Sequence, residues 1–365
     1  MTAETVPIPS VLDTLRMAHF AMTDRLRRAQ GDTLDVLGLG PRECAFQLIS
    51  SAPHWRLRAY NGGPDGAPPL VMVPAPIKRP YIWDLTPSLS AVRYCLHRGF
   101  RVHLIEWTPP DSKGGAGLDA YAGDAVAACV ATISTQANGA MPFLMGHSLG
   151  GTLAAIYCAL EPASVRGLVL LGAPLCFEQA SSRFRDALVN LVPAELSETD
   201  VVAGSLLSQV SAAASPDTFL WSRWMDAALS LTDPTAMDIH ARVERWTLDE
   251  VALPGKLVSE IVQWLYHENR FCRGALSVVG RTVGPASVRT PTLAIVNTAD
   301  EVAPLASVAP FIDNMPTKDS RIIEYPGEIG GRPSASGYAR RARSLRSSMA
   351  TDYHLAECPR LNRIW

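Results

Sequence analysis

The sequence has no apolar run of bilayer length, no Cys-x-x-Cys pair and no long block of like charge. Each absence removes a class of function. Without roughly 20 consecutive apolar residues there is no candidate membrane span. The opening MTAETVPIPS also lacks the basic start and apolar stretch of a secretory signal. Seven cysteines (Cys44, Cys95, Cys129, Cys158, Cys176, Cys272 and Cys358) stand at wide, irregular spacings. They offer neither a zinc ligand set nor a redox motif and fit a reducing cytoplasm. With 33 basic residues spread among 35 acidic ones, no basic stripe follows a phosphate backbone, and no nucleic-acid partner is expected. The run GGAG from Gly114 to Gly117 lacks the Lys and Ser/Thr of a phosphate loop, so no cofactor is expected, and no metal.

What remains is a chain of 365 residues, 47% hydrophobic, long enough for one large core with a sizeable insertion. Apolar residues at helical spacing over 11–30 predict a helix, and residues 1–66 are expected to form a helical N-terminal segment. Short apolar strands then alternate with longer helical segments, at 70–73, 102–107, 143–145, 168–171, 293–296 and 321–325. That alternation predicts an α/β chain with a mostly parallel sheet, its core formed by 67–173 and 288–330. Between them, 174–287 is expected to insert as a helical cap. Trp221, Trp224, Trp246 and Trp264 lie within it. Core packing is the expected use of these large aromatics, with the lining of an acyl channel as the alternative.

The segment from Pro142 to Leu160 reads as strand, sharp turn and helix, and the turn is Gly146, His147, Ser148, Leu149, Gly150. That context turns the pattern GxSxG into the nucleophile elbow of an α/β-hydrolase fold, with Ser148 as nucleophile. The amide of Leu149 opens the following helix and is the first expected oxyanion donor. The second should come from the loop after strand 70–73. Pro74 and Pro76 have no N–H, which leaves Ala75, Ile77 or Lys78. His147 is expected to be structural, because an elbow turns consecutive side chains apart. In this fold the acid follows a late strand, and Asp300 in NTADEVAP stands there.

Three stretches together resemble the polyhydroxyalkanoate synthase family: VMVPAPIKRPYIWDL, GHSLGGTLAAIYCALEPASVRGLVLLGAP and WLYHENRFCRGALSVVGRTV. The resemblance spans roughly residues 70–330. It implies acyl transfer from 3-hydroxyacyl-coenzyme A thioesters, a second synthase subunit or a polyester granule as partner, and a cytoplasmic, granule-associated location. In the third stretch Tyr266, Asn269 and Gly274 fit the family pattern, as substrate contacts or as cap packing. Two departures matter. The family's nucleophile is cysteine, where this chain has Ser148, and an alcohol needs a base more than a thiol does. The family also places its catalytic histidine in a glycine-rich loop after the last strand, where this chain reads EYPGEIGGRPSASGYARR. Downstream of Asp300 the sequence holds His354, a candidate base whose alternative role is a solvated tail residue.

From Gly331 the composition shifts to Arg, Ser and Ala, and 331–365 forms an atypical tail. Read one base out of phase, Met349 and Ala350 must give Trp, and the same shift permits a histidine within 334–338. A frameshift near Gly330, natural or in the sequence record, accounts for both features. Three functions follow from these observations: a serine acyltransferase related to the polyester synthases, a serine ester hydrolase of esterase or depolymerase type, and an inactive homologue that binds granules or a synthase.

Overall fold

The computed structural model describes residues 11–64, 66–110, 115–193 and 201–325. The tail, with His354 and the proposed frameshift, lies outside the described residues. Eight strands form the central sheet: β1 (Phe46–Ala52), β2 (Trp55–Tyr60), β3 (Pro69–Val73), β4 (Arg101–Trp107), β5 (Phe143–His147), β6 (Gly167–Leu171), β7 (Thr292–Asn297) and β8 (Arg321–Tyr325). Their order is β1-β2-β4-β3-β5-β6-β7-β8. The first two pairings, β1 with β2 and β2 with β4, are antiparallel, and the rest are parallel. PLVMV of β3 and GLVLL of β6 are near-continuous apolar runs because both faces of a parallel sheet are covered. Along β3, Val71 and Val73 enter one core cluster while Leu70 and Met72 enter the other, as the two-residue period of a strand requires.

Helices α2 (Ala91–His97) and α3 (Val126–Gln136) precede β4 and β5 in the chain; α4 (Leu149–Leu160) runs back along the sheet behind β5, and every residue from Gly150 to Leu160 is buried. Such a helix has no polar face to show and forms part of the core itself.

Residues 1–66 are not helical throughout. Helix α1 (Val11–Val36) runs further than expected and is followed by β1 and β2, which extend the sheet. Periodicity missed these strands because β1 is only partly buried and β2 carries a buried arginine. Arg58 pairs with Glu106 at 2.8 Å and Glu43 at 2.6 Å, contacts from distant parts of the chain.

Between β6 and β7 the chain leaves the sheet for α5 (Arg183–Leu191), α6 (Gly204–Ala214), α7 (Ser222–Ser230), α8 (Pro234–Thr247) and α9 (Gly255–Glu260). Two small ribbons accompany them, Val201–Val202 with Leu253–Pro254 and Leu276–Val278 with Arg281–Val283. Helix α1 is braced on this insertion: Ser205 donates its amide to Asp24, and Arg245 pairs with Asp35 at 2.7 Å.

The four tryptophans divide. Trp246 donates to the Arg79 carbonyl, and Trp264 lies under the Arg270 guanidinium. Trp221 and Trp224, at 67% and 74% exposed, face outward with Leu220, Met225, Leu229 and Leu231, so core packing does not hold for this pair. Helical spacing defines a shared face without saying whether anything covers it. Among the described residues no helix is long and apolar enough to cross a membrane.

Candidate active site

The backbone at Ser148 carries the main signature of the site. It lies between the last residue of β5 and the first of α4 with φ 52° and ψ −133°, a conformation that L-residues with a Cβ rarely adopt. Its amide donates to Leu171 O at 3.1 Å, fixing the turn to the end of β6, and its carbonyl accepts from Gly151 and Thr152. Such a turn must pass close to its neighbours. A Cβ at Gly150 would collide with the carbonyl of Val73 and the backbone of Pro74, so the elbow is pressed against the end of β3. Thr152 is buried one turn on and donates its hydroxyl to Pro174 O at 2.7 Å, which binds α4 to the strap after β6.

Helix geometry leaves the amide of Leu149 without an acceptor inside α4. Contact between Gly150 and Pro74 puts Ala75, the next residue, beside the elbow. The Pro74 carbonyl is fixed from behind by the Trp107 indole N–H at 2.7 Å. Ile77 sits farther along the loop, where its carbonyl accepts the amide of Val251, and Lys78 bridges to Glu250. Of the three candidates for the second donor, Ala75 thus follows directly on the residue that meets the elbow, while the Ile77 carbonyl and Lys78 make contacts with the insertion.

Asp300 follows β7. One carboxylate oxygen accepts from the amides of Val302 at 2.8 Å and Ala303 at 3.1 Å. The other faces Gly172, at the end of β6, where a Cβ would stand 3.3 Å from it. Gly172 has φ +50° and donates to Ile295 O, so a side chain there would be strained as well as crowded. The elbow and the acid loop therefore meet at the same edge of the sheet, joined through Leu171 and Gly172. Three of the other described histidines are engaged elsewhere: His54 stacks on Tyr121, His267 bonds the Val192 carbonyl, and His103 is buried in β4. His147 is exposed and meets Trp83 edge-on.

Asn269 is buried, and its side chain is occupied: it accepts from the amide of Phe177 and donates to Glu178, each at 2.8 Å. Tyr266 packs between Phe177 and Phe184, at ring distances of 4.7 and 6.3 Å. Both residues thus make packing contacts within the insertion. Gly274 ends that segment with φ +70°.

Three features escaped the sequence reading. Glu301, beside the acid, accepts from Ser215 and Thr218 and so ties the acid loop to the insertion. Glu250 is buried against Lys78 and Arg27, both at 2.9 Å, and burial lowers the Lys78 pKa to about 8 despite the adjacent carboxylate. Cys176 and Cys272 form a disulfide across 96 residues, which the wide cysteine spacings and their fit to a reducing compartment did not disclose. Only the adjacent acid gave Glu301 a sequence signal; long-range contacts of this kind leave no spacing pattern.

Residues 68–327 match the family model described as the alpha/beta hydrolase fold, and the chain belongs to that family. Within it the chain is similar to polyhydroxyalkanoate polymerases. It is 28% identical to the poly(3-hydroxyalkanoate) polymerase subunit PhaC of Haloferax mediterranei over 72% of this chain and 54% of that one. Identity to the corresponding subunit of Allochromatium vinosum is 26%, over 87% of this chain and 89% of that protein. The chain spans little more than half the length of the haloarchaeal relatives it matches. A solved bacterial membrane phospholipase A, 12% identical with a TM-score of 0.52 over 93% of this chain and 95% of that one, shares the fold.

Proposed function

We propose that this chain is a polyhydroxyalkanoate synthase-like acyltransferase with Ser148 as nucleophile. The observation that carries this reading is the left-handed backbone at Ser148, in a chain whose sequence relatives are polyester polymerases. Ser148 Oγ attacks the thioester carbonyl of a 3-hydroxyacyl-coenzyme A. The amides of Leu149 and Ala75 receive the developing oxyanion, and the coenzyme A thiolate leaves. A histidine takes the serine proton, and Asp300 orients it. In the sequence as it stands the candidate for that histidine is His354; the alternative frame permits one within 334–338. The acyl group then passes to a hydroxyl at the end of a growing polyester, in the cytoplasm at a granule surface or beside a second synthase subunit.

Hydrolysis is the second reading, favoured by the serine itself: the same acyl-enzyme opened by water makes an esterase or depolymerase. The outward face of Leu220, Trp221, Trp224 and Met225 supports the third, an inactive homologue held on a polyester surface.

Intact mass after incubation with 3-hydroxybutyryl-coenzyme A tests the first step. An acyl adduct that Ser148→Ala abolishes is expected. A folded chain that forms none fails as a thioester-dependent enzyme, and the coding DNA around Gly330 then decides whether its base was lost.

A further inference from the structure

The disulfide stands at a particular place in the chain. Cys176 lies just after β6, where the polypeptide leaves the sheet, and Cys272 follows the last helix of the insertion, ahead of the ribbon Leu276–Val278 with Arg281–Val283 and of β7. The bond therefore closes residues 177–271, with all five helices of the insertion, into one loop at its neck. On the core side, the amides of Leu175 and Cys176 both donate to Ser307 O, at 2.9 and 2.8 Å, in the segment after the acid loop. On the insertion side, Asn269 accepts the amide of Phe177, and Arg273 pairs with Glu178 at 2.8 Å. The two chains at the neck are thus held together by polar contacts that do not depend on the sulfurs.

The other described cysteines are unsuited to exchange. Cys44, Cys95, Cys129 and Cys158 are free, and burial raises their thiols to about 11, about 12, well above the usual range, and about 12 in turn. Cys176 is 2% exposed, but Cys272 is only partly buried, which gives an exchanging thiol one sulfur to attack.

We propose that Cys176 and Cys272 are a redox-modification site that clasps and unclasps the neck of the insertion. In the closing direction, the Cys272 thiolate attacks a small disulfide such as oxidised glutathione and releases one thiol. Cys176, as thiolate, then displaces the second thiol from the mixed disulfide. The protein loses two electrons and two protons, and the small disulfide gains both. A dithiol reductant reverses the sequence through attack on Cys272. Opening the bond removes the covalent restraint on the loop, while the bonds of Asn269 and Glu178 keep the neck folded. The insertion then opens more often relative to the sheet edge that holds Ser148 and Asp300.

The test uses the full chain in oxidised glutathione or dithiothreitol, beside Cys272→Ser. Peptide mapping without reduction should find Cys176 joined to Cys272 in the oxidised protein. Amide hydrogen exchange should then be roughly tenfold faster across 177–271 after reduction, with β3 and β5 unchanged. Cys272→Ser should exchange like the reduced protein and ignore the reductant. Both thiols remaining free in oxidised glutathione, a pairing with another cysteine, or exchange indifferent to reduction would each overturn the proposal. None of these readouts depends on acyl transfer, so they stand apart from the proposed activity.

Discussion

At Ser148 the backbone conformation and the chemistry pull in opposite directions. A side chain at φ 52° costs on the order of 1–2 kcal/mol relative to glycine, and the turn is held only because its neighbours leave no alternative. Ser148→Gly should therefore be more stable than Ser148→Ala by about 1 kcal/mol in urea unfolding, although neither can be acylated there. Equal midpoints would mean that the turn carries no strain. Gly150 obeys the reverse rule. Its Cβ would meet the backbone of Val73 and Pro74, which cannot move without displacing β3 and the Ala75 loop. Gly150→Ala should lose about 3 kcal/mol and the acyl adduct together, read by thermal unfolding and intact mass.

Between elements, the connections that matter are buried ion pairs. Glu250, with its side chain 3% exposed, faces Lys78 of the loop after β3, Arg27 of α1 and the Ser208 hydroxyl of α6. Its removal leaves two cations without their carboxylate in a poorly hydrated place. Glu250→Ala should cost about 3 kcal/mol or more in urea unfolding. Glu161, paired with Arg281 where both side chains are about half exposed, provides the contrast, and Glu161→Ala should cost less than about 1 kcal/mol. Similar losses for the two would show that burial does not set the strength of these pairs. The same distinction explains what the sequence disclosed. Strands β3 to β7 were legible because burial on both faces leaves apolar runs such as PLVMV and GLVLL. The elbow was legible because its glycines are a local steric demand. Hidden from local pattern were β1 and β2, where Arg58 finds partners 15 and 48 residues away, and the contacts of Glu250 and Cys272, which exist only once the chain has closed on itself.

For the molecule as a whole, a buried histidine and a partly buried lysine shape the acid and alkaline arms of the stability curve. His103 lies within the sheet on β4, 8% exposed, and burial lowers its pKa from 6.5 to about 4. Between those values the unfolded chain holds a proton that the folded chain does not. Stability is therefore lost as pH falls from 6.5 toward 4, by about 3 kcal/mol from this group. Lys78 joins the Ala75 loop to the insertion, with its pKa lowered from 10.5 to about 8, mainly by burial and against the opposing pull of Glu250. Here too the unfolded chain binds the extra proton, so this lysine makes stability rise as pH increases from about 8 to 10.5. The sign follows from the lowered pKa: a buried cation is a burden that deprotonation relieves. Urea unfolding of the wild type, His103→Gln and Lys78→Met across pH 4 to 10 separates the two arms. His103→Gln should flatten the acid arm and leave the alkaline one, and Lys78→Met should do the reverse. An acid arm unchanged in His103→Gln would place the proton uptake on other groups, and a Lys78→Met curve parallel to wild type above pH 8 would mean that Glu250 keeps this lysine charged throughout.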